Sequence, residues 1–300
     1  MASSLRFEII KDLDKAREMW NMFTPRETIY DEWDFRYCFY KYFNYELFFY
    51  VGYVNDEPIG LLPLQWNPEK KHLEFFGGDY MEDNRVYMKK EHKAYIPEFY
   101  GQIDRRAELN YIRGEDGFTK QLTFKDNKFV LPLTGLASTK EYLSSYFQSE
   151  TQRRMQQKVR HIEKVGVELS NNQPEDLEKL FEFNIDYFGA ESAFVWRPHH
   201  KEIFRDLLKL PFRLYLMGFT VNGVKQGVSF ALLSNKSYAY ISIGLKMERE
   251  KDLNTYIHLK NIETALKTGA HTLDAFTGDF GWKDKWHFHK IPQYNFNLSI

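Results

Sequence analysis

Two segments of the chain carry the same succession of apolar strand, tight turn and apolar strand, and they stand at one constant offset. Val54-Asn55 and Gly60 in the first align with Val221-Asn222 and Gly227 in the second, 167 residues later. The first runs Phe48 to Val54, Asn55-Asp56, then Ile59 to Gln65. The second runs Leu214 to Val221, Asn222-Gly223, then Gln226 to Leu233. Asn-Gly and Asn-Asp between apolar runs are hairpin signals, because both turn positions must tolerate positive φ. A helix start precedes each hairpin: Lys11-Asp12-Leu13-Asp14-Lys15 in one, Glu175-Asp176-Leu177-Glu178-Lys179 in the other. A repeat this long and this divergent predicts two copies of one α/β unit rather than a solenoid.

The second copy reads more fully. Pro174 opens a helix that buries Leu177, Phe181, Ile185 and Phe188, and a second helix carries Ile203, Phe204, Leu207 and Leu208. Arg213 to Val221, Gln226 to Leu233 and Ser237 to Gly244 are consecutive antiparallel strands. Thr255, Leu259, Ile262 and Leu266 then recur at helical spacing, Gly269 stops that helix, and Thr272 to Phe276 is a short strand. In the first copy, His72 to Phe76 stands where Ser237 to Gly244 does. A polar, cationic helix from Thr151 to Lys164 joins the copies, with Ser149 as its cap and Gly166 at its end. The expected division is therefore 1–148 and 149–300.

Composition narrows the function classes. Forty-one basic side chains face 42 acidic ones, a net charge of −1, which argues against DNA binding and a polybasic membrane anchor. One cysteine, Cys38, excludes an intrachain disulfide and a cysteine-based metal cluster. No run approaches the roughly 20 apolar residues of a membrane helix, and the start lacks the order of a secretion signal, so a soluble, cytoplasmic protein is expected. No Walker loop, GxSxG elbow, HExxH or GxGxxG occurs, which leaves kinase, serine hydrolase, zinc protease and Rossmann oxidoreductase unsupported. His287-x-His289 has no acidic neighbour in sequence and makes no metal site by itself; none is expected.

Four stretches carry a family resemblance: Phe48 to Leu64, ending Gly60-Leu61-Leu62-Pro63-Leu64; Phe75-Phe76-Gly77-Gly78-Asp79-Tyr80; the Arg-rich helix Arg153 to Gly166; and Leu214 onward to Asp274-Ala275-Phe276-Thr277-Gly278-Asp279-Phe280-Gly281-Trp282-Lys283-Asp284-Lys285-Trp286. On these the chain resembles the GNAT-related acyltransferases of the cellulose-biosynthesis CelD type, cousins of the Fem-type aminoacyltransferases. The resemblance spans most of the chain. It implies an α/β (α+β) fold of two tandem GNAT-like domains, with mixed, largely antiparallel sheets flanked by helices. It also implies transfer of an acyl group, acetyl above all, from acyl-CoA as co-substrate to an amine or hydroxyl of a small-molecule, sugar or peptide acceptor. The alternatives are a Fem-like transferase that draws on aminoacyl-tRNA, against which the net charge argues, and a non-catalytic binding protein on a degenerate GNAT scaffold.

The same resemblance assigns residues. The donor arm would lie along Ile243, Gly244 and Leu245, with its pyrophosphate on the helix start at Asn254, Thr255 and Tyr256, where unpaired N–H groups favour anions. The chain departs from the family here: Leu253-Asn254-Thr255 stands in place of a Gly-rich turn. In the loop before it, Lys246, Arg249 and Lys251 could meet a phosphate or simply pair with Glu248, Glu250 and Asp252. Asp279 is the candidate base and Lys283 the cation that steadies an oxyanion or binds an acceptor anion; a structural ion pair is the alternative. Asp274 would orient them or cap the strand end. Asp79, Tyr80, Arg154, Tyr240 and Trp282 are the candidate acceptor contacts, against an exposed turn at Asp79-Tyr80 and a solvated face at Arg153, Arg154 and Arg160.

Overall fold

The computed structural model describes residues 5–114, 118–279 and 281–299. The first half runs β1 (Leu5–Ile10), α1 (Leu13–Phe23), α2 (Trp33–Tyr40), β2 (Glu46–Val54), β3 (Glu57–Asn67), β4 (His72–Phe75), β5 (Tyr87–Met88), α3 (Ile96–Gly101), β6 (Ala107–Arg113), β7 (Thr123–Pro132) and α4 (Thr139–Tyr146). Then follow α5 (Ser149–Val165), β8 (Val167–Asn171), α6 (Pro174–Phe188), α7 (Ala193–Trp196), α8 (His200–Leu207), β9 (Arg213–Val221), β10 (Val224–Ser234), β11 (Ser237–Leu245), α9 (Leu253–Lys267), β12 (Thr272–Asp274), α10 (Trp282–Lys285) and β13 (His289–Leu298).

The repeat is real down to its boundaries. β2 and β9 begin and end 167 residues apart, and so do β3 and β10. Both hairpins turn through two left-handed residues, Asn55 and Asp56 in one, Asn222 and Gly223 in the other. Asp12 caps α1 by accepting from the Lys15 N–H. Small differences from the sequence reading occur at element ends. Gln148, not Ser149, is the cap position of α5, and Ser149 is its first helical residue. β12 stops at Asp274, because Phe276 turns left-handed at φ 58°.

Among the described residues, thirteen strands form one mixed sheet in the order β1-β2-β3-β4-β6-β13-β7-β12-β11-β10-β9-β8, with β5 added beside β3. Only β4 with β6 and β11 with β12 pair in parallel; every other pairing within this sheet is antiparallel. The chain order shows how the copies are joined. β7, from the first half, pairs with β12 of the second, and the last strand, β13, is inserted between β6 and β7. One apolar core cluster also draws on both halves, packing Tyr30, Phe35, Cys38 and Phe39 against Leu180, Phe204, Phe230 and Leu232. No described helix is long and apolar enough to cross a membrane.

Candidate functional site

Two parallel pairings are each abandoned early, and that leaves two gaps in the sheet. β11 pairs with β12 only at Ser237–Thr272, Tyr238–Leu273 and Ala239–Asp274. Beyond Ala239, β11 runs on to Leu245 beside β10 alone, so its other edge is splayed from its neighbour. In the first half, β4 pairs with β6 only at Leu73–Ala107.

The loop that leaves β12 continues beside the gap next to β11. Phe276, Gly278 and Gly281 take positive φ, which folds the segment tightly enough to bring α10 back toward α9. Trp282 then stacks on His258, with centroids 4.5 Å apart, and the Tyr240 ring meets the other side of this cluster 6.0 Å from His258. Burial holds the His258 imidazole neutral, with its pKa down to about 4. Among the described residues the buried Tyr240 hydroxyl has no hydrogen-bond partner, and burial pushes its pKa well up. An orphaned buried hydroxyl is costly, so this group has unspent donor capacity.

Lys283, next to Trp282, is buried at 2% exposure. Its Nζ donates to the carbonyl oxygens of Thr277 at 2.6 Å and Phe276 at 3.3 Å, and it stands 4.6 Å over the Phe129 ring. Burial drives its pKa down to about 8, although Glu82, Asp274, Asp126 and Asp279 pull the other way. A lysine so placed is an amine that can hold or release a proton near neutrality. Asp279 is different. Its carboxylate is exposed, accepts from the Gly281 N–H and faces Lys290 at 3.5 Å. That N–H and the Lys290 charge hold its pKa below the usual carboxylate range. Phe280, between them in the motif, lies outside the described residues.

Beside this loop lies a polar cluster that single-residue reading of the sequence did not find. Lys128 is 2% exposed and lies 2.6 Å from Asp83 and 2.7 Å from Asp274. Arg113 adds a second cation 2.6 Å from Asp83. Burial opposes the charge on Lys128, but the two carboxylates outweigh it and raise its pKa. Asp274 also accepts from the Phe276 N–H, the strand-end role expected for it. Gln293, fully buried opposite Asp126 and Arg113, has no hydrogen-bond partner for either amide atom among the described residues. Glu82 accepts from the Thr277 N–H and Asp126 from the Gly278 N–H, so the loop after β12 is fastened to the first half at two points. Tyr111, left-handed at φ 57°, lies in β6 near the same cluster of acids, and burial and the Glu82 and Asp126 charges raise its pKa.

The other expected contacts divide. Asp79 and Tyr80 line a pocket of about 160 Å³ between the halves, with Gln65, Glu74, Trp196 and Arg197. Asp79 is ion-paired with Lys70 across its rim. Arg154 is not with them: it sits exposed on α5 near Glu150, and no α5 residue lines that pocket. Ile243 and Leu245 lie half-buried on the splayed strand, and the Ile243 carbonyl accepts from Asn184 of α6. Gly244 is buried where α6 crosses closely; a Cβ there would meet the Leu180 carbonyl oxygen at 3.0 Å. At the start of α9, Asn254 is exposed and Thr255 half-buried, with Lys158 near its hydroxyl. Asp252 holds the N-cap position at this end and, with Glu250, faces Lys158 and His161 of α5. Tyr256 turns away, into a larger groove of about 520 Å³ between α4, α5 and α9 that takes in none of the buried ionic cluster.

Comparison with known proteins agrees with this architecture. A family model described as an acetyltransferase (GNAT) domain matches residues 148–284. A search of curated proteins finds no match. Solved structures similar to the whole chain include FemX, at 10% identity and a TM-score of 0.61, covering 97% of each chain. L-PGS from Bacillus licheniformis superposes at 9% identity and a TM-score of 0.60, over 95% of this chain and 91% of that one. A tandem GNAT protein from the clavulanic acid biosynthesis pathway does so at 10% identity and a TM-score of 0.53, over 99% of each. At such identities the likeness is one of fold: a mixed α/β, GNAT-type architecture.

Proposed function

We propose that the chain is an acyltransferase that moves an acyl group from a carrier to an amine or hydroxyl, with the donor along the splayed edge of β11 and the acceptor in the pocket between the halves. The observation that carries this reading is the parting of β11 from β12 at Ala239; beside it Tyr240 and Trp282 both meet His258, and the loop after β12 buries the Lys283 amine next to Trp282. An extended thioester arm can lie along such an edge and pair with its free backbone groups.

The chemistry asked of the site is modest. The acceptor's nitrogen or oxygen attacks the acyl carbon, its proton passes to a base, and the carrier leaves with the bonding electrons. Neutral Lys283 takes that proton, and the ammonium it becomes steadies the oxyanion. The Tyr240 hydroxyl, unpartnered at rest, donates to the same oxygen. Asp279, exposed and held as a weak base, serves the loop through Gly281 and Lys290 instead.

The CelD-type resemblance favours acetyl-CoA as donor. A second reading, a Fem-like transfer from aminoacyl-tRNA, is favoured by one observation: Asp252 and Glu250 place carboxylates at the start of α9, where a CoA pyrophosphate would sit. Titration calorimetry with acetyl-CoA separates the two. Saturable binding supports the CoA reading, and its loss in Lys283→Ala puts the amine at the donor. Absence of binding at millimolar ligand overturns it, and transfer from charged tRNA becomes the assay.

A further inference from the structure

Most cations around the cleft are already committed. Arg36 is fully buried and donates to the carbonyls of Tyr30, Phe76 and Asp83. Arg85 faces Glu27 and Asp31, Arg113 faces Glu27 and Asp83, and Lys70 faces Asp79. Arg197 is the exception. It lines the pocket between the halves, yet it makes no ion pair among the described residues.

Its position is nevertheless built. The guanidinium lies 4.7 Å from the Tyr80 ring centroid and 4.9 Å from that of Trp196. Tyr80 is itself fixed by stacking on His200, at 5.3 Å and 18°. Burial first, and then the Arg197 charge, keep the His200 ring neutral, with its pKa down to about 3. Two aromatic rings and the Tyr80 hydroxyl beside it hold the guanidinium in place, and its five N–H donors exceed what they take up, so donors are left for a carboxylate or phosphate. Of the three acids among the described residues that line the pocket, none is ion-paired with Arg197, and Glu69 is exposed beside Tyr45. Glu74 takes hydrogen bonds from Gln65 and Asn67, and Asp79 is neutralised by Lys70.

We propose that Arg197 anchors an oxyanion of the acceptor, a carboxylate or a phosphate, and so makes the preferred acceptor an anionic amine or alcohol. This rests on reading the pocket as the acceptor site. The placement suits that role, since two residues beyond Tyr80 the Glu82 carboxylate accepts from the Thr277 N–H, and the Thr277 carbonyl accepts from Lys283. An acceptor gripped by its anionic end at Arg197 can direct its nucleophile along this path toward the amine.

The test is calorimetric titration of the full chain, without donor, using glucosamine 6-phosphate, glucuronate and neutral glucosamine at low ionic strength. At least tenfold tighter binding of an anionic probe than of glucosamine is expected, with the preference abolished in Arg197→Gln and reduced in Arg197→Lys. Whichever anionic probe binds identifies the oxyanion as phosphate or carboxylate. Equal affinity for the neutral sugar, no binding of either anion at millimolar concentration, or an unchanged preference in a folded Arg197→Gln overturns the proposal. Anion binding with no transfer from any donor would remove the transferase reading and leave the anchor standing. Transfer to an anionic acceptor at the wild-type rate in a folded Arg197→Gln would do the reverse.

Discussion

Lys128 Nζ lies 2.7 Å from Asp274 Oδ2, and both side chains are 98% removed from solvent. With Asp83, 2.6 Å from the same nitrogen, the pair ties β7 and the end of β12 to a loop of the first half. Charges this deep are costly to desolvate, and only their mutual attraction offsets the cost. Lys128→Met leaves two carboxylates without their shared cation. It is expected to lose about 3–5 kcal/mol in urea unfolding; a loss below about 1 kcal/mol would show that the cluster is not holding the halves together. The acid limb follows in sign. Burial works against the Asp83 carboxylate, but Lys128 and Arg113 hold its pKa well below the usual value. Its contribution is therefore complete above the unfolded carboxylate's pKa of about 4 and is lost as pH falls below that.

Lys283 has the opposite ledger. Its pKa lies near 8 in the folded chain, below the 10.5 of a free lysine, so the unfolded state binds more protons between those values. The cost of keeping it charged, about 3 kcal/mol, is present in full below pH 8 and fades as pH rises toward that of the free amine. Lys283→Met should consequently raise stability at pH 7 by about 1–3 kcal/mol, less at pH 10, while abolishing transfer. Wild-type turnover should climb with pH through about 8 as the amine becomes neutral. Thermal melts at two pH values and a pH–rate profile check both. A variant that is less stable at pH 7, or a profile flat through that range, would remove Lys283 from the role of base.

How far the sequence carried depended on whether the signal was local. The hairpins ending at Val54 and Val221 were legible because their turns demand left-handed residues and their strands are continuous apolar runs. β7 and β13 were not: Thr123–Pro132 and His289–Leu298 are polar and partly exposed, and their partners lie far along the chain. Lys128 and Asp83 left no trace, since a lone charged residue reads as surface until pairing buries it. The motif around Asp279 and Lys283 located the loop correctly but not its inside and outside. Four residues apart, the two would share a face on a helix. α10 begins only at Trp282, so Asp279 points to solvent while Lys283 turns in. Arg197 follows the same lesson, because only the fold brings Tyr80 from 117 residues away beneath it.

Tyr240→Phe separates stability from catalysis at one atom. The buried hydroxyl has no partner among the described residues, so removing it relieves an unmet desolvation cost of about 1–3 kcal/mol. Stability should be unchanged or higher. If the hydroxyl donates to the developing oxyanion, turnover should fall on the order of 100-fold. Turnover equal to wild type in a folded Tyr240→Phe would assign the residue to packing around His258 alone.

Asp252 decides where a phosphorylated donor could lie. It holds the N-cap position of α9 at φ 70° with no side-chain cap hydrogen bond, and its carboxylate lies 3.4 Å from His161 and 3.6 Å from Lys158. Asn accepts the same left-handed backbone, so Asp252→Asn removes the charge with little strain. It also frees Lys158 and His161 from an acidic neighbour. A CoA pyrophosphate seated on this helix end would then gain both the helix field and the α5 cations. Acetyl-CoA affinity should rise about 3- to 10-fold, an increase that shrinks with added salt. Affinity that stays the same would mean that no phosphate sits at the start of α9. Weaker binding would make the carboxylate itself part of the acetyl-CoA seat and would count for the CoA reading with a different placement of its phosphates.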